Sequence, residues 1–239
     1  MLREIRPSSP AIEIPLSVIL LGAGTSRRMN GIEKIFAKLD GQPVLAYSLE
    51  VFTSFPSVNQ IILVLSEDLE NQARRLLKSR GWNGIVTICV GGQRRQDSVM
   101  CGLDALTPCD WVVVHDGARP LINHQILQQG IGVVRETGSA VCGVPAKDTI
   151  KLVDSEGMII ESPPREHLWQ VQTPQFFRYD LLYKAHRNAT GTFTDDAMMV
   201  EALGGRVKMF HGSYNNIKIT TPEDLIMAEA LLHQMPPLG

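Results

Sequence analysis

Three segments of the chain combine residue types that could bind a phosphate-rich ligand, and each follows a short apolar run. The first is Gly22-Ala23-Gly24-Thr25-Ser26-Arg27-Arg28-Met29, directly after Leu16–Leu21. Its glycines allow the backbone to approach phosphates closely, and its successive N–H groups can form an anion nest. Arg27, Arg28 and then Lys34 add positive charge to that loop. The second, Gly91-Gly92-Gln93-Arg94-Arg95-Gln96-Asp97-Ser98, offers a nucleotide two glycines, two arginines and Ser98 near the start of a helical stretch. The third, His115-Asp116-Gly117-Ala118-Arg119-Pro120, follows Trp111–Val114. An aspartate there could hold a divalent metal or substrate hydroxyls. Each segment also has a plain reading: a tight turn with solvated charges, a capped helix start, an Asp-initiated turn steadied by His115. Three of them on one sheet edge are less easily dismissed than one.

Familiar nucleotide-binding fingerprints do not account for the first loop. The third position of a G-x-G-x-x-G pattern is Arg27, and no acidic residue closes a second strand at the required distance. No G-K-[ST] follows, so it is not a Walker A loop. A nicotinamide-dependent oxidoreductase is thereby disfavoured.

The segments need a scaffold to bring them together. Gln60–Leu65, Ile85–Val90, Trp111–Val114 and the weaker Ala140–Val144 resemble Leu16–Leu21 in being short and rich in β-branched residues. Such runs suit strands buried on both faces of a parallel sheet. Helical stretches lie between them at Val44–Phe52, Asp68–Lys78 with Gly81 as a stop, Arg95–Leu106 and Gln125–Glu136. This alternation predicts right-handed crossovers and an α/β doubly wound, mostly parallel sheet.

After Pro145 the rhythm changes. Thr149–Val153, a turn at Asp154-Ser155-Glu156-Gly157 and Met158–Glu161 predict a hairpin that cannot continue a parallel sheet. It reads as a protruding arm, at about 148–170, which needs a surface to pack on, such as a second subunit. Thr173-Pro174 reads as a turn and Phe176-Phe177 as core. Helices near Tyr179–Asn188 and Asp195–Leu203, a strand at Arg206–Phe210, an extended Asn216–Ile219 and a helix opened by Thr221-Pro222-Glu223 complete the chain. Lys218 alternates with Ile217 and Ile219 and so should face away from them. The expected organisation is a flexible leader at 1–15 and one domain at 16–239.

Composition narrows the function classes. The 239 residues are 44% apolar with 23 basic and 25 acidic side chains, for a net charge of −2, so a sizeable core is available and no global basic field draws nucleic acid or lipid. Any anion must be held by a local cluster. No stretch of 18 or more residues is free of charged or polar breaks, which argues against a membrane protein. Cys89, Cys101, Cys109 and Cys142 form no C-x-x-C pair and read as reduced structural thiols of a cytoplasmic protein. The first residues lack the apolar core of a signal peptide.

Taken in order, Gly22–Met29, Lys34, Gly91–Val99, His115–Pro120, Asp148–Lys151 (DTIK), Thr173–Phe177 (TPQFF), Thr194–Ala197 (TDDA) and Asn216–Lys218 (NIK) resemble the 2-C-methyl-D-erythritol 4-phosphate cytidylyltransferase family. The resemblance runs from about Leu16 to the last helix. It implies a Rossmann-like nucleotidyltransferase that joins CTP to methylerythritol phosphate with magnesium, releases pyrophosphate and serves isoprenoid precursor synthesis. It implies that Arg28 and Lys34 stabilise the transition state. Gly22, Ala23, Gly24, Gly92, Gln93, Ser98 and Gly117 would hold CTP. Asp116, Arg119, Thr173, Thr194 and Lys218 would face the acceptor, with Asp116 also a candidate metal ligand. Thr149 and Arg165, on the arm, would reach the acceptor of a partner subunit, making a homodimer. The family pattern Pro-Ala-Ala-Gly-x-Gly reads Leu21-Gly22-Ala23-Gly24-Thr25-Ser26 here, and Gln93 stands where an acidic residue is common. Two other activities share the same phosphate logic: a ribitol 5-phosphate (pentitol) cytidylyltransferase, and a CTP-binding module without catalysis.

Overall fold

Alternating apolar residues in each run point to opposite faces of a sheet, and here both faces are covered. In a computed structural model that describes residues 14–24 and 33–235, Leu16–Leu21 forms β1. Val18 and Leu20 enter one core cluster, Ile19 and Leu21 another. The short hairpin of β2 (Lys38–Leu39) and β3 (Gln42–Pro43) leads into helix α1 (Val44–Ser54). Then come β4 (Val58–Leu65), α2 (Glu70–Arg80), β5 (Val86–Val90), α3 (Arg95–Ala105) and β6 (Trp111–Asp116). Helix α2 stops at Gly81, whose φ of 70° is the left-handed conformation that glycine adopts without strain. Helix α4 (His124–Thr137) and β7 (Ser139–Pro145) continue the alternation. β1 pairs in parallel with β4 and β6, and β4 with β5, as the crossover reading requires.

The second half departs from that reading at one central place. After the arm strands β8 (Leu152–Val153) and β9 (Ile159–Glu161), the chain returns through β10 (Trp169–Arg178). β10 is antiparallel and lies between β6 and β7. Thr173-Pro174, expected as a turn, sits inside this strand, its peptide bond cis. Proline has no N–H for a ladder, and the register with β7 shifts between Val171 and Gln175 instead of ending there. Phe176 and Phe177 are core, as expected, one on each face. Helices α5 (Tyr179–Asn188) and α6 (Asp196–Ala202), strand β11 (Lys208–His211) and helix α7 (Pro222–Leu232) complete the order. Asn216–Ile219, expected to be extended, joins no ladder; its Ile219 N–H donates to Ala118 O at 2.8 Å. Among the described residues the main sheet runs β11-β7-β10-β6-β1-β4-β5.

The arm forms its own two-stranded sheet. Met158, Ile159 and Ile160 are 61–65% exposed within the single chain. At its base, Ala146 N–H donates to Leu168 O at 2.8 Å and the Arg165 guanidinium to Lys147 O at 2.9 Å. Among the described residues, no helix is long and apolar enough to cross a membrane.

Helix α4 allows a direct test of this packing. A Cβ at Gly130 would meet Phe176 Cε2 at 2.2 Å, whereas one at Gly132 would meet nothing within 4 Å. Gly130→Ala is expected to destabilise the protein by about 1–3 kcal/mol through overpacking. Gly132→Ala in the same helix is expected to stabilise it by up to about 1 kcal/mol through helix propensity. Opposite shifts of the guanidinium midpoint would confirm that β10 lies under this helix; equal shifts would not fit.

Candidate active site

The two glycine loops meet because neither has a side chain in the way. Gly22 N–H donates to Val64 O at 2.7 Å, and a Cβ there would lie 2.6 Å from Leu65 Cδ2 and 2.8 Å from Ile35 Cδ1. Gly91 abuts the same loop: a Cβ on it would lie 2.8 Å from both Ala23 Cβ and Ser98 Oγ. The loop after β1 and the start of α3 therefore form one wall at the carboxyl ends of the strands, where sheets of this kind bind ligands.

A cleft of about 280 Å³ opens there. Gly22, Ala23, Gly24, Lys34, Gly92, Gln93, Ser98 and Asp116 line it, together with Arg95 and Lys218. Lys34 Nζ lies 3.4 Å from the position a Cβ on Gly24 would take, so the ammonium sits against the glycine loop. Gly117, expected to line this cleft, does not; it is buried below with its N–H on Leu21 O at 2.8 Å, and Ala118 takes the lining position. Arg28 lies outside the described residues.

A second cleft of about 400 Å³ adjoins the first. Asp116, Arg119, Thr173, Thr194 and Lys218 all line it, so the five acceptor residues inferred from distant segments converge. Arg95, Asp116 and Lys218 belong to both clefts and mark their boundary. Thr149 and Arg165 line neither cleft of their own chain and are exposed on the arm and at its base.

The boundary is an ion network. Lys218 Nζ donates to Asp116 Oδ2 at 2.6 Å, Arg95 Nε reaches Asp116 Oδ1 at 3.5 Å, and Arg95 Nη1 donates to Asp196 Oδ2 at 2.8 Å. Burial alone would raise the pKa of Asp116, but Arg95 and Lys218 outweigh it and hold the carboxyl well below the usual range. As expected, Lys218 turns away from Ile217 and Ile219, which pack into the cluster beneath α7.

Arg95 is expected only as one of the two arginines of the second loop and Asp196 only as a member of the TDDA run; neither has an expected role of its own. Both left a trace in the sequence. Arg95 opens α3 beside the buried Gln96, Ser98 and Val99, an unusual place for a solvated charge. In the TDDA run, Asp195 alone caps α6 by accepting from Met198 N–H, which leaves the second aspartate without a capping role.

The model of the family described as IspD, 2-C-methyl-D-erythritol 4-phosphate cytidylyltransferase, matches residues 16–234. The chain belongs to this cytidylyltransferase family. It is 50% identical over 217 residues to the Dehalococcoides mccartyi protein named 2-C-methyl-D-erythritol 4-phosphate cytidylyltransferase, covering 91% of this chain and 96% of the relative. The Alkaliphilus oremlandii protein of the same name is 45% identical, with 90% and 94% covered. Among solved structures, the 4-diphosphocytidyl-2C-methyl-D-erythritol synthase of Anaerococcus prevotii superposes with a TM-score of 0.84 at 30% identity, covering 92% of this chain and 97% of that one. The Thermus thermophilus cytidylyltransferase gives 0.73 at 30% identity, with 90% and 98% covered.

In this cytidylyltransferase family member, His115 supports the site from below. Its Nε2 faces Arg119 O at 3.2 Å, so Nε2 carries the proton; Nδ1 then accepts from Thr173 Oγ1 at 3.1 Å. Thr173 Oγ1 in turn accepts the Asp116 N–H at 3.0 Å. With Nε2 donating and Nδ1 accepting, the three bonds run in one direction through the neutral imidazole. Burial is the main cause that lowers the His115 pKa to about 4. The expectation of a structural histidine therefore holds. Because the folded pKa lies below the unfolded value of about 6.5, the associated stability is full above that value and is lost as pH falls towards the folded pKa. Between pH 7 and pH 5 the loss is expected to be about 2 kcal/mol. Guanidinium unfolding at the two pH values checks it, with His115→Gln expected to flatten the dependence.

Proposed function

We propose that this chain transfers the cytidylyl group of CTP to 2-C-methyl-D-erythritol 4-phosphate, forming 4-diphosphocytidyl-2-C-methyl-D-erythritol and pyrophosphate for isoprenoid precursor synthesis. One observation carries this reading beyond family membership: two adjoining clefts share a cationic boundary of Arg95 and Lys218 around Asp116. The glycine-walled cleft suits the triphosphate, and the second cleft suits a polyol phosphate. An oxygen of the acceptor phosphate attacks the α-phosphorus of CTP, the bond to the β-phosphate breaks, and pyrophosphate leaves. Both partners are anions, so repulsion is the obstacle and little proton transfer is required. Alignment and positive charge supply the acceleration. Lys34 serves this on the donor side, Lys218 on the acceptor side, and Arg28, outside the described residues, is proposed to share the role of Lys34.

Asp116 is the sole acidic lining residue of the first cleft among the described residues, and two cations already neutralise it. That donor set does not fit a resident metal held by the protein alone. It fits magnesium carried in by the triphosphate, with Asp116 as its one carboxylate neighbour. When bound, the ion would neutralise charge on the phosphate oxygens.

We further propose a homodimer joined through the arm. The exposed apolar arm and the placement of Thr149 and Arg165 away from their own clefts support it. Mixing Arg165→Ala with Lys34→Ala subunits is expected to restore activity in heterodimers, since each pair holds one intact composite site. Verified heterodimers without recovery would refute the shared site. The four free thiols support a cytoplasmic setting.

The deciding experiment is pyrophosphate release with CTP and a panel of polyol phosphates. Methylerythritol phosphate is expected to be the preferred acceptor. Preference for ribitol 5-phosphate would reassign the acceptor, and CTP binding without release would reduce the protein to a binding module.

A further inference from the structure

Two buried titratable residues, Asp196 and His186, have no part in the mechanism so far, yet they touch its boundary. His186 Nε2 lies 3.0 Å from Asp196 Oδ1, and both side chains are almost wholly buried between α5 and α6. The other oxygen of Asp196 accepts from Arg95 Nη1 at 2.8 Å. Neither Asp196 nor His186 lines either cleft, whereas Arg95 lines both. The tight ion pair of Arg95 is thus with the remote carboxylate; its approach to Asp116 is longer, at 3.5 Å. The hydrogen bonds of Arg95 to described residues use Nη1 and Nε, which leaves the Nη2 amino group unpaired among them. The guanidinium is a rigid planar fork, so fixing one nitrogen directs the others.

On the reading of cytidylyl transfer, we propose that Arg95 is a further phosphate-binding residue at the junction of the clefts, and that Asp196 and His186 are positioning residues that hold its fork. Without Asp196, the arginine would swing fully onto Asp116, which it now only approaches at 3.5 Å. Held by Asp196, it keeps Nη2 for an oxygen of the nucleotide or acceptor phosphate. His186 donates from Nε2 and keeps the second oxygen of Asp196 from turning.

The proposal is tested with Arg95→Lys, Asp196→Asn, His186→Leu and His186→Gln in the full-length protein. Arg95→Lys keeps the charge between the two carboxylates, so it should fold, but it loses the fork. Gln places an amide donor where Nε2 stood. The first three variants are expected to lose kcat by about tenfold or more with the KM for CTP raised no more than severalfold, while His186→Gln stays near wild type. Unchanged kcat in Arg95→Lys would overturn the phosphate contact. Equal losses in His186→Leu and His186→Gln, tracking their melting temperatures, would reduce His186 to a structural residue and overturn its positioning role. If the wild-type protein releases no pyrophosphate at all, the transfer reading fails first. Calorimetry with inorganic pyrophosphate then still decides: Arg95→Lys should weaken binding severalfold, and unchanged affinity would overturn the proposal.

Discussion

Replacing Lys34 by alanine is expected to lower kcat by about 10²–10³, the cost of roughly 3–4 kcal/mol for losing one preorganised charge donor. The ammonium sits against the glycine loop within the first cleft. Nothing in the proposed chemistry replaces it, because the barrier comes from bringing a phosphate dianion onto an already anionic phosphorus. On the proposed reading CTP is also held by the backbone of Gly22–Gly24 and Gly92, so affinity should fall less than turnover. The melting temperature should stay near that of the wild-type protein. Single-turnover kinetics with CTP and acceptor separate the two effects. A kcat equal to wild type would remove Lys34 from the mechanism and leave the glycine cleft as a binding surface only.

Asp116→Ala is expected to cost both activity and stability. A buried charge pair broken from one side typically costs about 3–5 kcal/mol, since the partner is left uncompensated. Here the loss should lie at or below the lower end, about 2–3 kcal/mol. Arg95 retains Asp196 at 2.8 Å, and Lys218, whose side chain is 36% exposed, can turn to water. Activity should fall more steeply than stability, because Lys218 and Arg95 both lose the anion around which the cleft boundary is arranged. Lys218→Ala is the informative comparison: it removes the same 2.6 Å pair but leaves Asp116 facing Arg95, so its stability cost should be smaller. Denaturant unfolding of the two variants, read beside their pyrophosphate release, checks the ordering. A larger stability loss in Lys218→Ala would mean that the lysine, and not the aspartate, is the buried centre of the network.

The acid response follows from the same groups. His115 loses its contribution below about pH 6.5, as its folded pKa is depressed. Asp116 and Asp196, both held below the usual carboxylate range despite burial, contribute above about pH 4 and lose that contribution only in stronger acid. The first loss of stability on acidification should therefore come from the histidine.

Local pattern was enough for much of this protein. The strand at Leu16–Leu21 and the helix ending at Gly81 follow from period, β-branching and a left-handed glycine, all of which act over a few residues. The hairpin arm was legible because a tight turn cannot join parallel strands. The glycine loops were legible for a similar reason: only their residue types allow a backbone to meet a phosphate. Tertiary structure alone decided the rest. Thr173-Pro174 reads as a turn in isolation, and only the neighbours of β10 make it the middle of a central strand. His115 acquires its direction of hydrogen bonding from Thr173, 58 residues away. Arg95 and Asp196 are 101 residues apart, and the local trace that each leaves does not show that the two are partners. Short-range chemistry is written in neighbouring letters. The pairing of buried charges depends on which distant segments the sheet order brings together, and no local signal carries that.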